Sequence, residues 1–181
     1  MKEEAIGKRK AKAKKKAEEV KEKELIFGLS GKQIILFMLE FLAVSAIFLA
    51  VWYYIGEFYQ SAIFFAARPI LIAIGCPPAL ITAAFLHLEQ TGGYLGNFNL
   101  VPLVALAIAT PKLVLRRRIE MLAIGFPFLF LLHVLDLVAH YPMDVYHSEI
   151  ARLIVYSMGV GGVAIPFIIW FAICYKEFFR R

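Results

Sequence analysis

The chain has 181 residues, enough for one domain and too few for two independent ones, and 61% of them are hydrophobic. That share exceeds the apolar usage of soluble domains, and with a mean hydropathy of +0.71 it points to lipid as the solvent. The net charge of +6 does not describe a nucleic-acid surface, because ten of the twenty Lys and Arg residues lie between Lys2 and Lys23 beside six glutamates. A charged tail ahead of a hydrophobic body excludes nucleic-acid binding and leaves membrane lipid as the first partner.

An all-α integral membrane protein is therefore predicted. Residues 1–30 form a cytoplasmic basic and acidic tail, and 31–181 form a transmembrane helical bundle. The bundle has four full spans, one short extra helix and a small extracytoplasmic hairpin. In hydrocarbon a spanning backbone must satisfy its own hydrogen bonds, which restricts long apolar runs to helices. The tail has no apolar stretch followed by a cleavage site, so it does not read as a signal peptide. Its Lys14, Lys15 and Lys16 suit anionic headgroups, with docking of a cytoplasmic partner as the rival reading.

The first span is expected over Ile34–Ile55, long enough for a hydrocarbon core of roughly 30 Å. Trp52, Tyr53 and Tyr54 suit an interfacial belt at its far end, and Glu40 either snorkels to the inner headgroups or meets a polar partner. Ser61–Gly75 reads as a short helix interrupted at Arg68–Pro69 and stopped by Gly75-Cys76-Pro77-Pro78. Leu80–Phe98 reads as two strands around Thr91-Gly92-Gly93, a hairpin that belongs at the outer surface. Three further spans follow over Phe98–Leu115, Ile119–His140 and Leu153–Tyr175.

Basic residues recur in the N-terminal tail, at Lys112 and Arg116–Arg118, and at Lys176, Arg180 and Arg181. The positive-inside rule puts all three groups, and both termini, on the cytoplasmic side of the cell membrane. Glu57–Asn97 and Tyr141–Glu149 are then outside, and Arg116, Arg117 and Arg118 face the inner headgroups. Cys76 and Cys174 fall on opposite sides of the bilayer and form neither a disulfide nor a metal pair.

Ionisable groups inside a membrane are costly, and each invites a functional reading. His133, Asp136 and His140 stand at i, i+3 and i+7, one face of a helix near its outer end. Asp144, His147 and Glu149, together with His87 and Glu89, are expected to approach them. Three readings stay open: a polar network in which Asp136 accepts from His133, His140 or Arg152; a divalent metal held by His133, Asp136 and His140; or a catalytic or substrate-binding site. No cofactor is expected, the metal being the alternative. Asn97 and Asn99 read as helix caps. Cys76 reads as an inert apolar side chain, since a reactive thiol needs a neighbouring base or cation. Gly159-Val160-Gly161-Gly162 permits close helix approach.

The order of segments ILIAIG (Ile70–Gly75), the Ile81–Gly96 hairpin, GNFNLVPLVALAIATP (Gly96–Pro111), RRRIEMLAIGFPFLFLLHVLDL (Arg116–Leu137) and HSEIARLIVYSMGVGG (His147–Gly162) resembles the exosortase/archaeosortase family of membrane transpeptidases. The resemblance implies the family's fold and a polar site at the outer face. In that family a cysteine attacks a peptide near a C-terminal sorting signal, assisted by Arg and His. Here the nucleophile position falls on or beside Asn99, the arginine position on Asp136, and His147 stands for the outer histidine. Asparagine forms no thioacyl intermediate. The expectation is thus a homologue without thiol transpeptidase activity. It binds a C-terminally anchored surface protein or a lipid-linked partner through a pocket of Asn99, His133, Asp136, His140 and His147. The alternatives are an active enzyme, a transpeptidase using Cys76, His147 and Asp136 or a metal-dependent hydrolase, and a small transporter subunit for protons or metal.

Overall fold

The computed structural model describes residues 30–91 and 97–179, with side chains for 30–84 and 97–175. The tail with Lys14–Lys16, the side chains of His87 and Glu89, residues 92–96, and the basic groups of Lys176, Arg180 and Arg181 lie outside the described residues. Five helices make up the described chain: α1 Gly31–Ala73, α2 Pro78–Thr91, α3 Leu100–Ala109, α4 Leu115–Tyr146 and α5 Glu149–Phe179. Three of them, α1, α4 and α5, are long and apolar enough to cross a membrane. Their outward faces carry large apolar groups such as Ile35, Leu36, Phe58, Leu131 and Val160, a surface suited to lipid.

Helix α1 opens on a capping box: Ser30 accepts from the Gln33 amide, and the Gln33 side chain accepts from the Ser30 amide. It then runs for 43 residues without a break. The expected interruption at Arg68–Pro69 does not occur. The proline removes one backbone hydrogen bond on the exposed face, while the opposite face of the same stretch, Ile63, Ala67 and Leu71, is buried and holds the helix in place. The stop does come where Gly75 takes φ +88°, a left-handed conformation that only glycine adopts freely. Pro78 then opens α2, as proline often does at a first helical position.

Helix α2 replaces the expected hairpin. Its sequence PALITAAFLHLEQT is rich in Ala and Leu, good helix formers, and the described residues contain no strand. The expected span Phe98–Leu115 is also corrected. Helix α3 has ten residues, about 15 Å, half the hydrocarbon thickness. Pro111 ends it early, and its Leu100, Val101, Leu103, Ala105, Leu106, Ala107 and Ala109 are buried. It is the core of the bundle, enclosed by α1, α4 and α5. The four full spans expected are thus three long helices around one short buried one. The outer loop Tyr141–Glu149 also shrinks, because α4 continues to Tyr146 and the chain turns at His147.

One layer fixes the direction of every helix. Trp170 of α5 stacks on Phe37 of α1, with centroids 6.1 Å apart and planes 11° apart, and its Nε1 donates to Thr110 Oγ1 at 2.7 Å. Arg118, in the first turn of α4, closes the end of α3 by donating to the carbonyls of Ala107 (2.9 Å), Ile108, Thr110 (3.0 Å) and Leu113 (3.0 Å). The start of α1, the end of α3, the start of α4 and the C-terminal half of α5 therefore share one end of the bundle. Lys32, Lys112, Arg116 and Arg117 join Arg118 at this basic end. At the far end Tyr59 of α1 meets His133, and Tyr141 donates to the Gly75 carbonyl at 3.0 Å. Helices α1 and α4 run one way, and α3 and α5 return.

Candidate polar pocket

Towards the far end, α3, α4 and α5 diverge around a cavity of about 350 Å³. Its polar lining is Asn97, Asn99, His133, Asp136 and His140, and its apolar lining includes Leu129, Leu132, Val155, Met158 and Val163. Spacing on α4 puts the three ionisable groups on one face, each a turn above the last. The turn that leads into α3 brings Asn97 and Asn99 against that face.

Two hydrogen-bonded pairs close the cavity on the α1 side. Tyr59 Oη lies 2.9 Å from His133 Nδ1, which fixes the buried imidazole against a half-buried partner, and Phe130 meets the Tyr59 ring edge to face. Asn97 Nδ2 donates to Gln60 Oε1, where Gln60 is a buried amide of α1. Asn99 stands at the N-cap position of α3 but its side chain caps nothing. Its amide instead crosses to α5, where a Cβ added at Gly162 would come within 2.7 Å of Nδ2. A side chain at position 162 would displace the Asn99 amide from that position, which gives the expected small-residue segment of α5 a specific task.

Asp136 and His140 form the more open wall, with side chains 33% and 42% exposed. His140 Nδ1 is 2.8 Å from the main-chain oxygen of Asp136 and 3.9 Å from its carboxylate. The imidazole is thus held mainly by its own helix. Arg152 pairs with Glu149 at 2.9 Å and not with Asp136.

Four of the five expected pocket residues line this cavity; His147 does not. It is the C-terminal cap of α4, in the left-handed region at φ 52°, and its position serves the turn into α5. Asp144 and Glu149 also stay off the lining. His133, Asp136 and His140 do not close into a metal cage: among the described residues no group of three or more His, Cys, Asp or Glu is gathered to hold an ion. One helix face spreads such groups a turn apart, and among the described residues no second element adds a His, Cys, Asp or Glu to them.

Neither cysteine forms a disulfide, and both are buried. Cys76 sits with Ile63, Ala67, Leu71, Ile81 and Val134, away from the cavity, and burial pushes its thiol above the ordinary thiol range. Cys174 lies in α5 beyond Trp170, towards the basic end. Neither reaches His133 or Asp136. Of the expected headgroup contacts, Arg118 is instead the cap of α3, Arg117 binds Glu120 at 2.7 Å, and Arg116 is exposed.

Sequence reasoning missed Tyr59 and Gln60. Tyr59 hides among the aromatics of α1, whereas Gln60 is a polar residue in an apolar run and carried a usable signal. No family model, curated protein or solved structure matches this chain.

Proposed function

We propose that this is a multi-pass protein of the cell membrane, with both termini cytoplasmic, that binds a protein or lipid-linked partner in the α3–α4–α5 pocket without thiol chemistry. The observation that carries this reading is the convergence of Asn97, Asn99, His133, Asp136 and His140 on one cavity that neither cysteine lines. Four amide and imidazole side chains with one carboxylate, and no Lys or Arg in the lining, suit a peptide segment better than a phosphate. The apolar wall from Val155 to Val163 offers contact to an aliphatic stem.

The resemblance to exosortase/archaeosortase rests on the order of segments, with that family's nucleophile position falling on or beside Asn99. The pocket itself is independent of that likeness. Transpeptidation by the usual route would need a thiolate in the cavity, and Cys76 is buried elsewhere behind α1 and α4.

Photo-crosslinking tests the proposal. A benzophenone amino acid at Val155, on the pocket wall, is expected to capture a discrete peptide or lipid-linked adduct in native membranes. The same group at Val160, 82% exposed on the outer face of α5, should yield bulk lipid alone. Loss of the Val155 adduct in an Asn99→Ala/Asp136→Ala background assigns it to the pocket. Bulk lipid at both positions would reject the reading.

A further inference from the structure

A second cavity, of about 240 Å³, lies between the far half of α1 and the start of α2, lined by Phe64, Phe65, Arg68, Ile81 and Thr82. We infer that it is a binding site for a phosphate-bearing ligand, a lipid headgroup at the outer leaflet, with Arg68 as the anchor. The inference needs the bundle to sit in a membrane and is indifferent to what fills the α3–α5 pocket.

Depth is the first support, and α4 is the ruler. Arg118 marks the basic end; Tyr59 meets His133 and Gly75 meets Tyr141. At 1.5 Å per residue those two contacts lie about 22 and about 35 Å along α4 from Arg118. Arg68 falls between Tyr59 and Gly75 on α1, so it lies near the outer edge of a hydrocarbon layer of roughly 30 Å. Phospholipid phosphates occupy that level.

Chemistry is the second. Arg68 is exposed, and among the described residues no carboxylate pairs with it. Guanidinium presents a planar fork of donors that matches phosphate oxygens two at a time. Phe64, Phe65 and Ile81 make the rest of the cavity apolar, as a glycerol and upper acyl segment require. Thr82, whose hydroxyl donates to the Pro78 carbonyl at 3.1 Å, keeps its oxygen lone pairs and adds a polar edge to the cavity beside Arg68.

Native mass spectrometry of the detergent-purified full chain tests the site with three probes: phosphatidylglycerol, diacylglycerol with the same acyl chains, and inorganic phosphate. One phosphatidylglycerol is expected to stay bound, with diacylglycerol lost. Arg68→Gln should lower the occupancy at least tenfold. Displacement of the lipid by millimolar inorganic phosphate would keep the phosphate chemistry and move its source to a free anion. Equal retention of phosphatidylglycerol by Arg68→Gln and native chain, or equal retention of diacylglycerol, would overturn the proposal. Because Arg68 is exposed and glutamine keeps a long polar side chain with good helix propensity, the variant should fold.

Discussion

At the scale of single residues, the close approach that shapes the pocket is the meeting of Asn99 and Gly162. Neither is explained by its own helix: the asparagine caps nothing, and the glycine costs helix propensity. Together they bring α3 against α5 at the mouth of the pocket. Gly162→Ala must turn the Asn99 amide into the cavity, which should offset most of the ~1 kcal/mol of helix propensity that alanine gains over glycine. In an Asn99→Ala background the same substitution should show that gain in full, since that background lacks the group that the new methyl would strike. Thermal unfolding in detergent of both single variants and the double variant checks this. Strict additivity would show that the two residues are not coupled.

Elements show how local signals were outweighed by their surroundings. In α1 the pair Arg68–Pro69 looks like a break, and in water it would act as one. In an apolar bundle the helix continues, because abandoning it would expose several backbone groups while the proline frees only one carbonyl. Pro77–Pro78 behaves differently because Gly75 has already turned the chain and Pro78 can begin the next helix. In α3, only ten residues long, the last carbonyls have nowhere to go but Arg118 and the Thr110–Trp170 pair. Arg118→Ala is therefore expected to cost about 1–3 kcal/mol in unfolding from mixed micelles, through unsatisfied buried carbonyls. Arg116→Ala should cost almost nothing. An Arg118→Ala variant as stable as the native chain would return this residue to a role at the lipid surface.

For the molecule as a whole, the packed layers decide which ends lie together. Phe37, Thr110, Arg118 and Trp170 meet at one end, and Tyr59, Gln60, Asn97 and His133 meet further along. With the basic end cytoplasmic, a cysteine at exposed Asp144 should react with an impermeant maleimide added outside sealed cells, and one at exposed Lys112 should not. Both variants belong in a background with Cys76 and Cys174 replaced by alanine. Labelling of the Lys112 position from outside would reverse the orientation.

Much of this molecule was readable from composition and spacing. Long apolar runs dictate helices because lipid offers the backbone no partner, and i, i+3, i+7 spacing places His133, Asp136 and His140 on one face wherever the helix goes. The grouping of basic residues also anticipated that the start of α1, Lys112–Arg118 and the end of α5 lie at one end. Strand propensity misled at Leu80–Phe98, where Pro78 and a run of Ala and Leu start a helix instead. Apolar length misled at Phe98–Leu115, because hydropathy does not distinguish a span from a short helix buried by protein. What only the tertiary structure decided is which polar groups meet. Asn97 finds Gln60 across 37 residues and His133 finds Tyr59 across 74, while His147, close in sequence, turns away to end a helix. Local rules set the face on which a side chain stands; the crossing of helices distant in sequence sets what stands opposite.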